Sequence, residues 1–318
     1  MHKVIVSGST GFIGRHLCRH LQRKGVDVVR VGRNALRDAA VDDRVVAYDE
    51  LFSHPDAYRD VSAVVHLGAR VHQMSVRKED ERLFHDDNCV LTEKLAHFSV
   101  GQGIKRFVFA SSVKVMGATL GGVVADESIP PHPGDMYGKS KAEAEDILKK
   151  IFSGCVAHCC ILRFPMIYGP WNKGNMLRLL SCAYRKIPLP IGGASKKRSM
   201  VYVENVCSAI DTVICGVAHP DVVTFYLTDG MDVSSSELYR MIFRMMHDRK
   251  GVYYVPPWII AGISRIGGKF VNSIYQRLFE EYRFSADAFC TYYKWHQPFS
   301  LEYGVANTVQ WYIKEHMK

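Results

Sequence analysis

The stretch Val4-Ile5-Val6-Ser7-Gly8-Ser9-Thr10-Gly11-Phe12-Ile13-Gly14 decides the fold. A short apolar run leads into glycines spaced three residues apart, and helix-forming residues follow. This order predicts a buried strand, a tight turn and an amphipathic helix over Arg15–Lys24. Glycines let the backbone bend sharply and lie close to a diphosphate, while the helix start offers unpaired N–H groups. The stretch therefore predicts a dinucleotide-binding turn.

Composition limits the classes of function. The 318 residues are 47% hydrophobic and 23% charged, which is typical of a globular protein large enough for two lobes. The net charge is +9, but the basic residues are scattered and form only short clusters such as Lys196-Lys197-Arg198. This distribution favours a local anion site, and we expect no nucleic-acid partner.

The nine cysteines lack the regular spacing of a disulfide scaffold, and no signal peptide is recognisable. Both features predict a cytoplasmic protein. The densest group, Cys155 to Cys160, lies in an apolar run and is interpreted as part of the core, so no metal is expected. No apolar run reaches about 18 residues, so we expect no transmembrane helix.

Strands and helices alternate along the first half of the chain. Further strands are predicted at Val26–Val31, Arg44–Ala47, Ala63–Ala69, Arg106–Ser112 and Cys155–Arg163. Helices are predicted from near Lys78 to about Val100 and from near Tyr137 onwards. This alternation predicts an α/β fold with a doubly wound parallel sheet of the Rossmann type, whose ligands bind beyond the carboxyl ends of the strands.

The alternation fades from about Pro165, where Pro, Gly and aromatic residues become frequent. We therefore predict a smaller α+β substrate lobe interleaved with the dinucleotide domain. Residues 1–163 with about 199–228 are assigned to the dinucleotide domain, and about 164–198 with 229–318 to the substrate lobe.

A second motif, Tyr137-Gly138-Lys139-Ser140-Lys141, suggests chemistry. Residues four apart share one face of a helix, and an ammonium near a phenol lowers the phenol pKa from about 10. Tyr137 would then serve as an acid or base, and Ser112, at the end of a strand, would hydrogen-bond the same reacting oxygen. A Tyr–Lys pair at this spacing usually lies on the solvent-exposed surface of a helix without a catalytic role. The glycine turn upstream favours the catalytic interpretation here.

These features resemble the extended short-chain dehydrogenase/reductase family, particularly its nucleotide-sugar epimerases, reductases and dehydratases, over nearly the whole chain. The matching motifs are Gly8-x2-Gly11-Phe12-Ile13-Gly14, His66-Leu67-Gly68-Ala69, Ser111-Ser112-Val-Lys-Val-Met-Gly117, Tyr137-x3-Lys141, Arg163–Pro170, Arg198–Asn205 and Trp295–Gly304. The resemblance implies hydride exchange between a nicotinamide and C4 of a nucleotide-linked hexose, with Ser112, Tyr137 and Lys141 as the catalytic residues.

The resemblance also implies which residues bind the ligands. The expected cofactor-binding residues are Gly8, Gly11, Phe12, Ile13, Gly14, Arg33, Asp49, Leu67, Ala69, Asn88, Tyr137, Lys141 and Phe164. The expected substrate-binding residues are Asn175 and Arg198, whose guanidinium suits a diphosphate. By the same analogy we expect a homodimer.

The end of the second strand departs from the family pattern. NAD-dependent members usually carry an acidic residue there, whereas this chain has Gly32 followed by Arg33. Without a carboxylate to repel it, a 2′-phosphate is accommodated and can pair with Arg33, which favours NADP(H) over NAD(H). NADPH suits an enzyme that needs fresh hydride in every turnover. We therefore favour a 4-ketoreductase acting on a UDP-linked 4-keto-6-deoxy sugar for polysaccharide synthesis.

Several alternatives stay open. A UDP-glucose or UDP-N-acetylglucosamine 4-epimerase fits the same motifs, whereas a dehydratase is less favoured because Val113 and Lys114, not acidic residues, follow the catalytic hydroxyl. The apolar, basic stretch 256–270 is either a helix packed on the smaller lobe or a membrane-surface segment of an epimerase for polyprenyl-linked sugars. A non-enzymatic dinucleotide sensor would be expected to lack the Tyr–Lys pair.

Overall fold

Eight strands in the described part of the chain form the main sheet. The structure is a computed structural model that describes residues 3–34, 36–38, 43–70, 80–117, 120–191, 193–216, 221–247, 252–254, 256 and 281–317. The sheet strands are β1 Lys3–Ser7, β2 Asp27–Gly32, β3 Leu36–Asp38, β4 Asp43–Ala47, β5 Val61–His66, β6 Arg106–Ser112, β8 His158–Phe164 and β12 Val222–Tyr226. Their order is β12-β8-β6-β5-β1-β2-β4-β3, and only β3 pairs antiparallel. This order confirms the predicted doubly wound, Rossmann-like fold.

Helices connect the strands. Their ranges are α1 Phe12–Arg23, α2 Tyr48–Ser53, α3 Asp80–His85, α4 Leu91–Gly101, α5 Met136–Phe152, α6 Asn175–Tyr184, α7 Val203–Cys215, α8 Ser235–His247, α9 Asp287–Tyr293 and α10 Leu301–His316. A π-helical turn, Asp86–Val90, joins α3 to α4, and 3-10 turns lie at Pro55–Tyr58 and Val113–Met116.

The core lies on both faces of the sheet. Val4 and Val6 of β1 pack in one cluster with Leu17 of α1, whereas Ile5 packs in a second cluster with Leu95 of α4. All five side chains are at most 1% exposed. The alternation follows from the two-residue period of a strand, and burial of both faces explains why the strand is apolar throughout.

The remaining strands are short and pair outside the main sheet. They are β7 Val124–Ala125 with β14 Arg283–Phe284, β9 Met166–Tyr168 with β11 Met200–Tyr202, and β10 Lys197–Arg198 with β13 Val233–Ser234. A further apolar cluster joins α6, α8 and α10 through Leu180, Tyr239 and Val305. The exact division of the chain into two lobes stays a prediction.

Several predicted boundaries differ from the structure by up to three residues, and β5 ends at His66 rather than Ala69. Helix α1 begins at Phe12 rather than Arg15, because Gly11 is already the N-cap. Strand β8 begins at His158 rather than Cys155, because Gly154, with φ +77°, turns the chain after α5. The predicted core assignment of the cysteine group holds for Cys159 and Cys160, which are fully buried.

Two further predictions fall partly outside the described residues. The helix predicted from Lys78 to Val100 is described from Asp80 and contains the π-helical turn. Of the stretch 256–270 only Pro256 is described, so both interpretations of that stretch lie outside the described residues. No helix within the described ranges is both long and apolar enough to span a bilayer.

Candidate active site

The glycine turn follows β1 at the carboxyl edge of the sheet. Gly8 has φ +71°, and a Cβ there would lie 2.6 Å from the backbone nitrogen of Gly68. A Cβ on Gly14 would lie 2.3 Å from the Gly8 carbonyl oxygen. The turn is anchored to β2, because the backbone nitrogens of Gly8 and Ser9 donate to the Val31 carbonyl (3.0 and 3.3 Å). Both glycine positions therefore exclude any larger side chain.

The start of α1 suits a diphosphate. Its N-cap, Gly11, has no side chain with which to pair the first helical amides, and the first turn contains no acidic residue. The side chains of Phe12 and Ile13 pack against apolar clusters, so their expected contact with a ligand is through backbone N–H groups. The unpaired amides and the positive end of the helix dipole fit the diphosphate of a dinucleotide.

The predicted catalytic hydroxyls lie together. Ser112 ends β6, and its Oγ accepts a hydrogen bond from the backbone nitrogen of Lys114 (3.2 Å). Tyr137 lies in the first turn of α5, and the Ser112 side chain is close enough to its hydroxyl to affect the phenol pKa. Asp135 caps this helix by accepting a hydrogen bond from the backbone nitrogen of Gly138 (2.7 Å). The Asp135 N-cap thus fixes the start of α5, the turn that carries the phenol.

The pKa values of Tyr137 and Lys141 differ from those that the sequence predicts. Burial raises the pKa of Tyr137 to about 12, the neighbouring Ser112 hydroxyl opposes this rise, and the Asp135 carboxylate adds to it. The prediction that the Lys141 ammonium lowers the pKa of Tyr137 is therefore wrong for this arrangement. Lys141 is 2% exposed, and burial lowers its own pKa to about 7, which reduces its positive charge near neutrality.

The Lys141 amine has two neighbours on β6. Its Nζ donates to the backbone carbonyl of Ala110 (2.7 Å) and lies 4.3 Å from the centre of the Phe109 ring. The position of this amine is therefore set by the strand that ends in Ser112.

A buried ion pair supports the helix from behind. Glu145, one turn beyond Lys141, accepts hydrogen bonds from Arg163 Nε (3.0 Å) and Nη2 (2.7 Å). Ser111 donates to the same carboxylate (2.5 Å), and Arg163 also donates to the Tyr226 hydroxyl (3.0 Å). The pair ties α5 to β8, β6 and β12. Arg163 begins one of the family motifs, but no local signal in the sequence paired it with Glu145.

Asn88 connects the exit of β5 to the catalytic helix. Its Oδ1 accepts from the backbone nitrogen of Arg70 (2.7 Å), and its Nδ2 donates to the Arg70 carbonyl (3.1 Å) and to Ser140 Oγ (2.9 Å). Ser140 Oγ in turn donates to the Tyr137 carbonyl (2.9 Å). Asn88 is 1% exposed and lies in the π-helical turn, a feature that often marks functional sites.

His66 fixes the neighbouring strand ends. Its ring nitrogens hydrogen-bond Ser7 Oγ (2.5 Å) and Thr92 Oγ1 (2.9 Å). Burial lowers the His66 pKa to about 3, so the ring is neutral. The backbone nitrogen of Leu67 donates to the Ser7 carbonyl (3.1 Å). These bonds hold the exit of β5, with Leu67 and the half-buried Ala69, beside the glycine turn.

The other predicted ligand-binding residues lie on several elements. Asp49 is exposed in the first turn of α2, and Phe164 is buried at the end of β8. Asn175 is exposed at the first position of α6. Arg198 lies on β10, with its guanidinium 5.4 Å from the centre of the Tyr282 ring.

Charged residues cluster near the end of β2, where the sequence indicated only Arg33. Its guanidinium lies 3.8 Å from Asp87, which also accepts from Arg70 Nε (2.8 Å). The hydroxyl of Tyr48 lies at the exit of β5, where a Cβ on Gly68 would approach it to 2.6 Å. Sequence reasoning missed Tyr48, Arg70 and Asp87. Arg70 could have been found from the sequence, because it is a charged residue directly after the small residues Gly68 and Ala69.

A Rossmann-like sheet with a glycine turn, beside a Ser–Tyr–Lys set, is an arrangement that suits an enzyme of dinucleotide-dependent oxidoreduction. A sequence-family model described as "NAD dependent epimerase/dehydratase family" matches residues 4–223, and the chain belongs to that family. This membership confirms the resemblance and the identification of an enzyme.

Relatives and a solved structure agree with this assignment. The chain is 29% identical over 321 residues to a UDP-glucose 4-epimerase of Vibrio cholerae, covering 98% of this chain and 95% of that protein. It is 24% identical over 278 residues to a UDP-2-acetamido-2,6-beta-L-arabino-hexul-4-ose reductase of Pseudomonas aeruginosa, covering 86% of this chain and 63% of that protein. The structure of MoeE5 in complex with UDP-glucose and NAD has a TM-score of 0.75 at 24% identity, covering 99% and 100% of the two chains.

Proposed function

We propose that this enzyme reduces the C4 ketone of a UDP-linked 4-keto-6-deoxy hexose, or of its 2-acetamido counterpart, with NADPH. The observation behind this proposal is the end of β2, where Gly32 and Arg33 replace the acidic residue of NAD-dependent members. The Arg33 side chain is 76% exposed and lies within reach of a ligand at the carboxyl edge of the sheet. A relative named as a hexul-4-ose reductase supports the same chemistry.

The catalytic set suits reduction. When bound, the reduced nicotinamide supplies the hydride to C4 of the sugar. Tyr137 donates its phenolic proton to the ketone oxygen, and Ser112 donates a hydrogen bond to that oxygen. A phenol whose pKa is about 12 is protonated at neutral pH, which is the form that a reduction requires. Lys141 is proposed to hold the cofactor ribose through its amine.

The ligand-binding roles follow the same proposal. The amides of Gly11 to Gly14 hold the cofactor diphosphate, and Arg198 with Asn175 hold the sugar diphosphate. Asp49, Leu67, Ala69, Asn88 and Phe164 complete the cofactor cleft. A homodimer and a cytoplasmic location belong to the proposal, and nine free thiols suit a reducing compartment.

A 4-epimerase of UDP-glucose or UDP-N-acetylglucosamine is the second candidate. The relative in Vibrio cholerae, which matches almost the whole chain, carries that activity in its name. In such an enzyme Tyr137 first accepts the proton of the C4 hydroxyl and later returns it, and the dinucleotide is recycled within one turnover. A phenol with a raised pKa fits this first step less well than it fits reduction.

One incubation separates the two candidates. The enzyme is mixed with UDP-4-keto-6-deoxy-N-acetylglucosamine, UDP-N-acetylglucosamine or UDP-glucose, with and without NADPH. Stoichiometric loss of NADPH with the keto sugar supports the reductase, whereas interconversion of C4 epimers without added reductant establishes the epimerase. Tyr137→Phe should abolish turnover, and Tyr303→Phe, at an exposed position, should not. Wild-type turnover in Tyr137→Phe would show that the catalytic assignment is wrong.

A further inference from the structure

Three charged side chains meet at the edge of the cofactor cleft beside the glycine turn. Arg33 directly follows β2, Arg70 lies four residues beyond β5, and Asp87 lies in the π-helical turn. Because β2 and β5 flank β1 on its two sides, both arginines lie at the carboxyl edge that binds ligands in such sheets. One carboxylate oxygen of Asp87 is 2.8 Å from Arg70 Nε and 3.8 Å from Arg33 Nη1.

This cluster has an excess of positive charge. Two guanidinium groups share one carboxylate. Arg70 follows two residues after Gly68, whose backbone nitrogen would lie 2.6 Å from a Cβ on Gly8. The cluster therefore lies next to the turn that fits a diphosphate. A net cation at this position suits a further phosphate group on the same ligand.

The two arginines differ in how firmly they are held. The main chain of Arg70 is fixed on both sides by the Asn88 amide, and its side chain is 21% exposed. The Arg33 side chain is 76% exposed and its contact with Asp87 is long. Arg70 thus provides a positioned guanidinium, whereas Arg33 reaches the cleft from solvent.

We propose that Arg70, together with Arg33, binds the 2′-phosphate of NADPH, and that this pair sets the preference for NADPH over NADH. The inference rests on the proposed use of NADPH. A guanidinium binds phosphate through two parallel hydrogen bonds, and a dianionic phosphate attracts two such groups more strongly than the single Asp87 carboxylate does. Arg70 is thereby a specificity-determining residue outside the motif that contains Arg33.

The test uses fragments of the cofactor, so that its outcome does not depend on turnover. Affinities of the whole enzyme for 2′,5′-ADP and for ADP are measured by titration calorimetry in the wild type, Arg33→Ala, Arg70→Ala and the exposed control Arg59→Ala. We expect the wild type to prefer 2′,5′-ADP, and each cleft variant to bind it about tenfold or more weakly while its affinity for ADP changes little. Arg59→Ala should match the wild type.

Three results would overturn the inference. One is equal binding of 2′,5′-ADP and ADP by the wild type, and another is an Arg70→Ala variant that keeps the full preference. A variant that loses ADP affinity as well would place Arg70 in support of the fold rather than in phosphate recognition, which also overturns the inference. A clear preference for 2′,5′-ADP without reduction of any 4-keto sugar would instead refute the proposed function and leave the phosphate site in place.

Discussion

Replacing Glu145 by Gln removes one charge from the buried pair with Arg163 and keeps the shape of the side chain. Glu145 is 1% and Arg163 4% exposed, and two hydrogen bonds join them. Loss of one partner of a buried pair costs about 3–5 kcal/mol, because the other charge stays buried without compensation. The Gln carbonyl oxygen still accepts one hydrogen bond, so we expect a loss of about 3 kcal/mol in the free energy of unfolding.

This loss translates into a shift of the melting temperature. Unfolding entropy is about 2.1 cal/mol/K per residue, which gives about 0.7 kcal/mol/K for this chain and a decrease of about 4–5 °C. The decrease is measured by far-UV circular dichroism. The control is Asp146→Asn on the same helix. Because Asp146 pairs with Lys149 on the surface, we expect this variant to change the melting temperature by less than about 1 °C. A Glu145→Gln variant that melts like this control would refute the reasoning.

The same substitution should alter the active site. The Glu145 carboxylate opposes the lowering of the Lys141 pKa by burial. Without that carboxylate the Lys141 pKa falls further, so the amine is charged only at lower pH. When turnover is measured against pH, the part of the curve that depends on ionisation of Lys141 should therefore move to lower pH in Glu145→Gln.

Three further substitutions test other features. Gly8→Ala and its control Gly103→Ala both place a side chain at a positive φ, which costs about 1–2 kcal/mol of stability. Of these two positions, only at Gly8 would the Cβ meet backbone atoms. Only Gly8→Ala should therefore lose dinucleotide affinity in a fluorescence titration. Gly138→Ala, whose Cβ would lie 2.4 Å from the carbonyl of the turn after Ser112, should lower kcat, whereas Gly101→Ala, in open space, should not. The Lys141→Met variant should have a larger free energy of unfolding than the wild type near pH 7, and this difference should shrink towards pH 10. Since the folded-state pKa is about 7 and the unfolded value 10.5, the unfolded wild type binds more protons in this window and the wild type becomes more stable as pH rises. Melting curves at several pH values check this sign, and a gain that grows with pH would contradict it.

Local patterns were sufficient to predict the framework of the site. The glycine turn, the hydroxyl at the end of β6 and the Tyr137–Lys141 spacing each depend on residues close in sequence, and the structure brings Ser112 and Tyr137 into contact. Such signals are set by strand and helix geometry, which a short window of sequence contains.

What the sequence did not show depends on distant partners. The contact between Asp87 and Arg33, and the pairing of Glu145 with Arg163, join segments that only the sheet topology brings together. The raised pKa of Tyr137 has the same origin, because burial around a side chain is a property of the packed fold. Strand β12, which pairs with β8 at the edge of the sheet, was not predicted.

The π-helical turn at Asp86–Val90 determines the rotational phase of α4. Such turns correspond to one additional residue in an α-helix, and each residue accounts for about 100° of rotation about the helix axis. With this extra residue, Asn88 and Thr92 reach the strand exits while Leu95 and Ala96 still face the core. Removal of a single residue here would rotate everything downstream, so that the buried stripe of α4 would turn towards solvent. The turn thus keeps the contacts with the strand exits and the core packing in register on one helix.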